Sequence, residues 1–262
     1  MSSNLATGTL TDTAWLEAQY DNRKRVPTFA QHFERWRAAS AQARAQLACH
    51  LDVPFMPDAA ATLDVFPAAR ANAPVLVFIH GGYWRALDKS DFSFVAPPFV
   101  ASGAMVVVPN HSLCPAVTID TIAMQLAHAM AWVHRNAARF GGDAARNVVV
   151  GHSAGGHLAA MLLACDGRRL APDLPLRLTA DVVRRASPAG YAAPAGATLC
   201  SVVGALESDE FLRQNRLIRE RWGGAVVPVC EEIAGRDHFS VLDELIDPLA
   251  ALHRRVQQWL AA

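Results

Sequence analysis

Val148-Val149-Val150-Gly151-His152-Ser153-Ala154-Gly155-Gly156-His157-Leu158-Ala159-Ala160 is the stretch on which the fold turns. Three β-branched residues in a row read as a buried strand. From Ala154 to Cys165 small and apolar residues read as a helix. Between them stands G-x-S-x-G, a turn tight enough to force the serine backbone into a strained conformation, so that its neighbours must be small. Gly151, Ala154, Gly155 and Gly156 meet that need. A strand–turn–helix of this kind lifts a serine hydroxyl to the carboxyl end of a strand, and makes Ser153 the candidate nucleophile. The competing reading of the string is a glycine-rich turn with an inert serine.

Outward from this turn the chain alternates strand and helix. Expected strands are Thr62 to Phe66, Val75 to Ile79, Met105 to Val108, Val148 to Val150, Leu199 to Val203 and Val226 to Cys230. Expected helices are Ser90 to Ala101, Ile119 to Phe140, Ala154 to Cys165, Asp209 to Trp222 and a last one restarting at Pro248. The stripe Ile119, Ile122, Leu126, Met130, Val133 and Ala137 has helical spacing, as do Leu249, Leu252, Val256 and Leu260. Such alternation implies a doubly wound, mostly parallel sheet with helices on both faces, and functional groups at the carboxyl ends of its strands. The 262 residues suit one domain, 1–262. Residues 1–11 read as a loose tail. Within the N-terminal segment 12–50, residues 28–47 read as a helix, with Thr28 and Gln31 as a capping box and Phe29, Phe33, Trp36, Ala43 and Leu47 on one face. This segment precedes the first expected strand, so it either packs on the domain or lids a site. Residues 166–197 are poor in strand signal; Leu176 to Ala180 is the one short run, and 186–197 reads as a Pro-, Gly- and Ala-rich loop.

His80-Gly81-Gly82-Tyr83-Trp84 follows the Val75 to Ile79 run directly. A side-chain-free loop there can aim backbone N–H groups at an oxyanion; Gly81 and Gly82 would supply donors, and Ala154, the residue after the serine, another. His80 is better suited to orienting this loop than to acting as a base, and Tyr83 and Trp84 either wall an aromatic pocket or pack beneath the loop. A serine nucleophile needs a histidine and an acid, in the chain order serine, acid, histidine. His157 lies one turn into the nucleophile helix and His253 inside the last amphipathic helix, whereas His238 sits in a loop after a late strand. The acid should follow the Leu199 to Val203 strand. Glu207 precedes the next helix and can turn inward; Asp209 is the runner-up, since a carboxylate in a first helical turn is already explained by the helix dipole.

The chain carries 24 Lys plus Arg and 24 Asp plus Glu, a balance that gives no long-range pull toward nucleic acid or an anionic membrane and suits a small-molecule substrate. Cys49, Cys114, Cys165, Cys200 and Cys230 are odd in number and unpaired in spacing, as expected of reduced thiols. The N-terminus lacks the layout of a signal peptide, and no run is long enough to cross a membrane, so a cytoplasmic location is expected. No metal-ligand cluster and no dinucleotide motif stand out. A homodimer is as compatible with the sequence as a monomer.

Taken together, HGGYW at 80–84, GHSAGGHLAA at 151–160, ESDEF at 207–211, GRDHFSVLDEL at 235–245 and WLEAQYDNRKRVP at 15–27 resemble the kynurenine formamidase (arylformamidase) branch of the α/β-hydrolases. The resemblance runs over most of the chain from residue 15. It implies an α/β-hydrolase fold, Ser153 as nucleophile, Glu207 as acid where many relatives have Asp, and His238 as base. It also implies hydrolysis of N-formylkynurenine to kynurenine and formate, a step of tryptophan catabolism that needs no cofactor. The departure is at 166–197, where the family pattern has another apolar strand. Two other functions fit the same residues: a carboxylesterase acting on small esters, and a non-catalytic binding protein on a hydrolase scaffold.

Overall fold

A computed structural model describes residues 12–164 and 186–262. The chain divides into two compact units, Met1–His32 with Ala195–Val241, and Phe33–Pro194 with Leu242–Ala262.

The larger unit holds a five-stranded sheet. Its strands are β1 (His50–Pro54), β2 (Thr62–Phe66), β3 (Ala73–Ile79), β4 (Met105–Pro109) and β5 (Gly142–Gly151), in the order β1-β2-β4-β3-β5. β3 runs parallel to both neighbours, pairing Val75 with Met105 on one side and Ile79 with Gly151 on the other. β2 pairs antiparallel with β4 and β1 antiparallel with β2. The central strands are apolar on both faces because both faces are covered. Val75, Val77 and Ile79 face α5 (Ile119–Asn136) and α6 (Ala154–Ala164), packing with Leu126, Trp132, Val133 and Leu158. On the opposite face Phe78 meets the ring of Phe92, with centroids 5.8 Å apart. α4 (Ala96–Ala101) and α9 (Ala251–Ala261) cover that side, with α8 (Asp243–Ile246) leading into α9.

The smaller unit pairs β6 (Cys200–Gly204) parallel with β7 (Val229–Ile233) and packs α7 (Asp209–Val226) on them. α1 (Thr13–Tyr20) lies against α7, and α2 (Asn22–Arg25) follows it. Asp12 caps α1 by accepting the Ala14 N–H at 2.9 Å. α3 (Phe29–Gln46) starts at the end of this stretch, and its residues from Phe33 onward belong to the larger unit. There Trp36 is buried on the rings of Phe92 and Phe94, at 5.5 and 5.7 Å.

Several elements differ from expectation for identifiable reasons. The expected helix Ser90 to Ala101 is two 3₁₀ turns, Lys89–Asp91 and Ser93–Val95, followed by α4. Pro97 and Pro98 have no N–H to donate, so the α-helix can begin only where they occupy its first turn. The helix from Ile119 stops at Asn136 and finishes as a 3₁₀ turn ended by Gly141 at φ 81°. β7 begins three residues later than expected, because α7 kinks at Gly223 (φ 78°), a further turn runs to Val226 and Pro228 precedes the strand. The last helix starts at Ala251 rather than Pro248, which leaves Leu249 82% exposed instead of buried. β1 was not legible at all, since it is an edge strand with mostly exposed residues and no apolar alternation. Leu176 to Ala180 and Cys165 lie outside the described residues.

An ion cluster, with Lys89 and Asp64 buried and Asp52 exposed, ties the antiparallel edge to the parallel core. Lys89 Nζ lies 2.7 Å from Asp64 Oδ1 on β2 and 2.7 Å from Asp52 Oδ1 on β1. Asp52 takes φ 55°, which lets its N–H donate to Asp64 Oδ1 at 2.9 Å. Burial alone would lower the pKa of Lys89, but the two carboxylates outweigh it and hold the ammonium above its usual range. Removing one partner strands the other as a buried charge. Lys89→Met is expected to lower the unfolding free energy by about 3–5 kcal/mol in urea titrations, and adding Asp64→Leu to restore most of it. A loss below about 1 kcal/mol for the single variant would mean that water reaches Asp64.

Candidate active site

The glycine turn is held by contacts that leave no room for side chains. A Cβ on Gly155 would lie 2.0 Å from the Ile79 carbonyl oxygen, and one on Gly151 2.1 Å from that of Gly155. The His152 N–H donates to the Ile79 carbonyl at 3.2 Å, so the turn is pinned to the end of β3. Ser153 takes φ 56°, a left-handed conformation that costs a non-glycine residue about 1–3 kcal/mol. Ala154 opens α6, and its N–H is one of those a first helical turn leaves without an intrahelical acceptor.

Beside this turn runs the loop after β3. A Cβ on Gly81 would lie 2.8 Å from the His152 carbonyl oxygen and 3.1 Å from Ser153 Cβ. Gly82 has φ 119°, and a Cβ there would fall 1.9 Å from the Ala86 carbonyl oxygen. The structure therefore brings Gly81 alongside His152 and Ser153, while Gly82 is held against Ala86 and Leu87. His80 is fully buried behind them, with Nδ1 2.7 Å from the Gly81 carbonyl oxygen and Nε2 3.0 Å from Asn110 Oδ1. Tyr83 and Trp84 part company. Tyr83 is 48% exposed with the Arg85 guanidinium 5.1 Å from its ring centre, whereas Trp84 packs against Ile79, Ile122 and Leu158 and meets His157 edge-on.

In the smaller unit, Glu207 and His238 are both buried and joined, Nδ1 to Oε2 at 2.6 Å. The second carboxylate oxygen accepts the Gly204 N–H at 2.9 Å, which fixes the acid. Gly204 is needed because a Cβ would strike the Arg236 carbonyl oxygen at 2.3 Å, on the loop that carries His238. Asp209 is exposed in the first turn of α7. Asp237 caps its own turn, accepting the N–H groups of Phe239 and Ser240 at 2.9 and 2.8 Å. Burial would raise the pKa of Asp237; these bonds outweigh it and hold the carboxyl below its usual range.

The BD-FAE family pattern matches residues 63–173. The kynurenine formamidase of Danio rerio is 27% identical over 270 residues, covering 88% of this chain and 91% of that protein. The crystal structure of a candidate thioesterase from Silicibacter sp. TM1040 superposes with a TM-score of 0.79 at 26% identity, covering 92% of this chain and 98% of the other. This chain has an α/β-hydrolase fold and is similar to kynurenine formamidases over most of its length. The carboxylesterase NlhH of Mycobacterium tuberculosis is 37% identical over 98 residues, which are 37% of this chain and 30% of that esterase. With formamidases and carboxylesterases as its relatives, the hydrolase is an enzyme of the serine-hydrolase type.

Reading the sequence alone missed Asn110 and Asp88. Asn110 faces His80 and donates from Nδ2 to Asp88 Oδ2 at 2.7 Å. The available signal was position: Asn110 follows Pro109, at the carboxyl end of a parallel strand. His111 stacks on His80 with ring centroids 4.5 Å apart. Burial, and then the charge of its neighbour, lowers the pKa of His111 to about 4. Burial likewise lowers that of His80, against the opposing bonds to Gly81 and Asn110, and that of His157.

These groups protonate near 6.5 once the chain unfolds, but only at lower pH while it is folded. Below pH 6.5 the unfolded state binds more protons, so stability falls as pH falls, by up to about 1.4 kcal/mol per pH unit for each such histidine. Urea titrations between pH 7 and pH 5 should show this decline, and His111→Phe should flatten it. A wild-type unfolding free energy constant over that window would contradict it.

Proposed function

We propose that the hydrolase cleaves N-formylkynurenine to kynurenine and formate, as a cytoplasmic enzyme of tryptophan catabolism that needs no cofactor. The observation that carries this reading is the extent of the formamidase similarity, 88% of this chain and 91% of the relative, against 37% for the esterase.

In this mechanism His238 takes the Ser153 proton as Oγ attacks the formyl carbon. Glu207, hydrogen-bonded to Nδ1, leaves Nε2 as the accepting nitrogen and stabilises the imidazolium without taking the proton itself. The N–H groups of Gly81, Gly82 and Ala154 hold the oxyanion, each such donor being worth about 3 kcal/mol in the transition state. Collapse breaks the C–N bond, and His238 returns its proton to the departing aryl amine. Water then attacks the formyl ester by the same route and releases formate. The exposed ring of Tyr83 suits an aromatic wall for the amine; Trp84, half-buried, packs against the core cluster behind the loop.

The second reading, a carboxylesterase on small esters, is favoured by the higher identity in the 98-residue match. Acyl transfer from ester and formamide needs the same parts, and only the pocket separates them.

Kynurenine release from N-formylkynurenine should be rapid with the wild-type protein and fall by roughly 10⁴-fold or more in Ser153→Ala. Glu207→Gln should cost a comparable factor. Slow release combined with fast cleavage of short aryl esters would transfer the assignment to the carboxylesterase.

A further inference from the structure

The loop that follows β3 breaks a local rule. The Arg85 N–H donates to the Gly82 carbonyl at 3.1 Å, closing a turn whose central residues are Tyr83 and Trp84. Both have φ 57°. Turns with positive φ at both central positions belong to the mirror-image class, in which glycine, asparagine and aspartate predominate because they take up the left-handed conformation with little strain. Large aromatic residues are poorly suited to it, and a bulky side chain at such a φ marks strain that its surroundings must hold in place. Among the described residues six other than glycine have positive φ; Tyr83, Trp84 and Leu87 lie in this loop, and Ser153 is a fourth. Backbone strain is therefore concentrated around the serine turn.

The strained turn bears on the peptide between Gly81 and Gly82. A trans peptide points its N–H opposite to its C=O. The Gly81 carbonyl oxygen lies 2.7 Å from His80 Nδ1, so the Gly82 N–H points the other way. The turn begins at Gly82, and its shape sets how that peptide is rotated. Gly81, on the other side of the peptide, abuts His152 and Ser153.

Trp84 makes the contacts that hold the turn. Its carbonyl accepts the Cys114 N–H at 2.8 Å, from the loop after β4. Its indole packs on the cluster of Ile79, Ile122 and Leu158 and meets His157 of α6 edge-on, with centroids 5.1 Å apart at 89°. His157 stands one turn beyond Ser153, and its N–H donates to the Ser153 carbonyl at 3.1 Å. The ring thus bears on the helix that carries the nucleophile. Indole Nε1 is buried with no hydrogen-bond partner among the described residues, so the ring acts there through its shape and apolar contact.

We propose that Trp84 is a positioning residue for the oxyanion hole: wedged against α6, its indole holds the left-handed turn Gly82–Arg85, and through it the Gly82 N–H, in donor orientation. Asn-Gly at the two central positions would form the turn with less strain, but would lack that grip. The inference rests on reading Ser153 as nucleophile and the glycine loop as its oxyanion hole. It holds for a formamide and an ester alike.

The test compares Trp84→Ala, Trp84→Gly and Trp84→Phe in the full chain. The substrate is N-formylkynurenine or a short aryl ester, whichever the wild type turns over faster, and the inhibitor is trifluoroacetophenone. With this ketone Ser153 Oγ bonds to the carbonyl carbon, the hydroxyl proton passes to His238, and the carbonyl oxygen becomes the anion that the hole binds. For Trp84→Ala the expected result is a fall in kcat of about ten- to a hundred-fold, KM within three-fold, and an inhibition constant raised in parallel with the loss of kcat. Trp84→Gly also lacks the indole but adopts the turn without strain, and should regain at least about three-fold over Trp84→Ala. Trp84→Phe keeps a ring and should recover most of the rate. A merely structural Trp84 would lower the melting temperature of Trp84→Ala and leave kcat and inhibition within two-fold well below it; that result overturns the proposal. So does a raised KM with unchanged kcat, the mark of a ring that touches substrate, and so does equal impairment of the alanine and glycine variants. Trp84→Leu, which fills part of the apolar site, decides the matter if the smaller variants do not fold: parallel losses in kcat and inhibition support the proposal, and values within two-fold of wild type overturn it. If the ketone leaves the wild type uninhibited, or Ser153→Ala retains turnover, the serine-hydrolase reading of the site has failed, and the wedge with it.

Discussion

The contact between the backbone of the serine turn and the end of β3 is the constraint on which the larger unit's chemistry depends. With the Gly155 Cα so close to the Ile79 carbonyl that a methyl group would sit 2.0 Å from it, β3 and β5 can end side by side. The loop that leaves β3 therefore passes next to the serine that leaves β5. Gly81 repeats the requirement from the other side, against His152 and Ser153. The left-handed φ of Ser153 is tolerated because these contacts, together with the parallel strands beneath, leave the backbone no easier path.

Buried polar groups elsewhere are arranged to keep this region rigid. His80, Asn110 and Asp88 form a chain of contacts behind the glycine loop, and Lys89, the residue after Asp88, reaches in the other direction to Asp64 and Asp52. The short segment from His80 to Lys89 thus joins the loop, the end of β4 and the antiparallel edge. A buried group without a partner would cost more than the net gain of making each bond, so such a network holds its members to one geometry. In the smaller unit the same logic centres on Glu207, which is fixed by Gly204 and in turn fixes His238.

How the parts became legible depends on the range of the interactions that place them. Strand–turn–helix around Ser153 and the glycine loop after β3 are local. Each is dictated by side-chain size or backbone freedom, and each could be read from neighbouring residues. Boundaries were less legible where a proline competed with periodicity, as at Pro97, Pro98 and Pro228. β1 escaped because an exposed edge strand is defined by its partner and carries no pattern of its own.

Local sequence is enough to set the alternation of strand and helix, the strained serine turn and the glycine loop beside it. Glycine, proline and β-branched residues impose these locally. It took the folded chain to set Glu207 rather than Asp209 against His238, to pack Trp84 against the core while Tyr83 stays exposed, and to stand Asn110 and Asp88 behind His80. Folding also decided that Tyr20 backs the aromatic flank of a histidine more than two hundred positions away. Those outcomes rest on contacts between residues far apart in the chain. The physical reason is that a side chain's partner is chosen by packing and hydrogen-bond satisfaction in three dimensions, which no local pattern encodes.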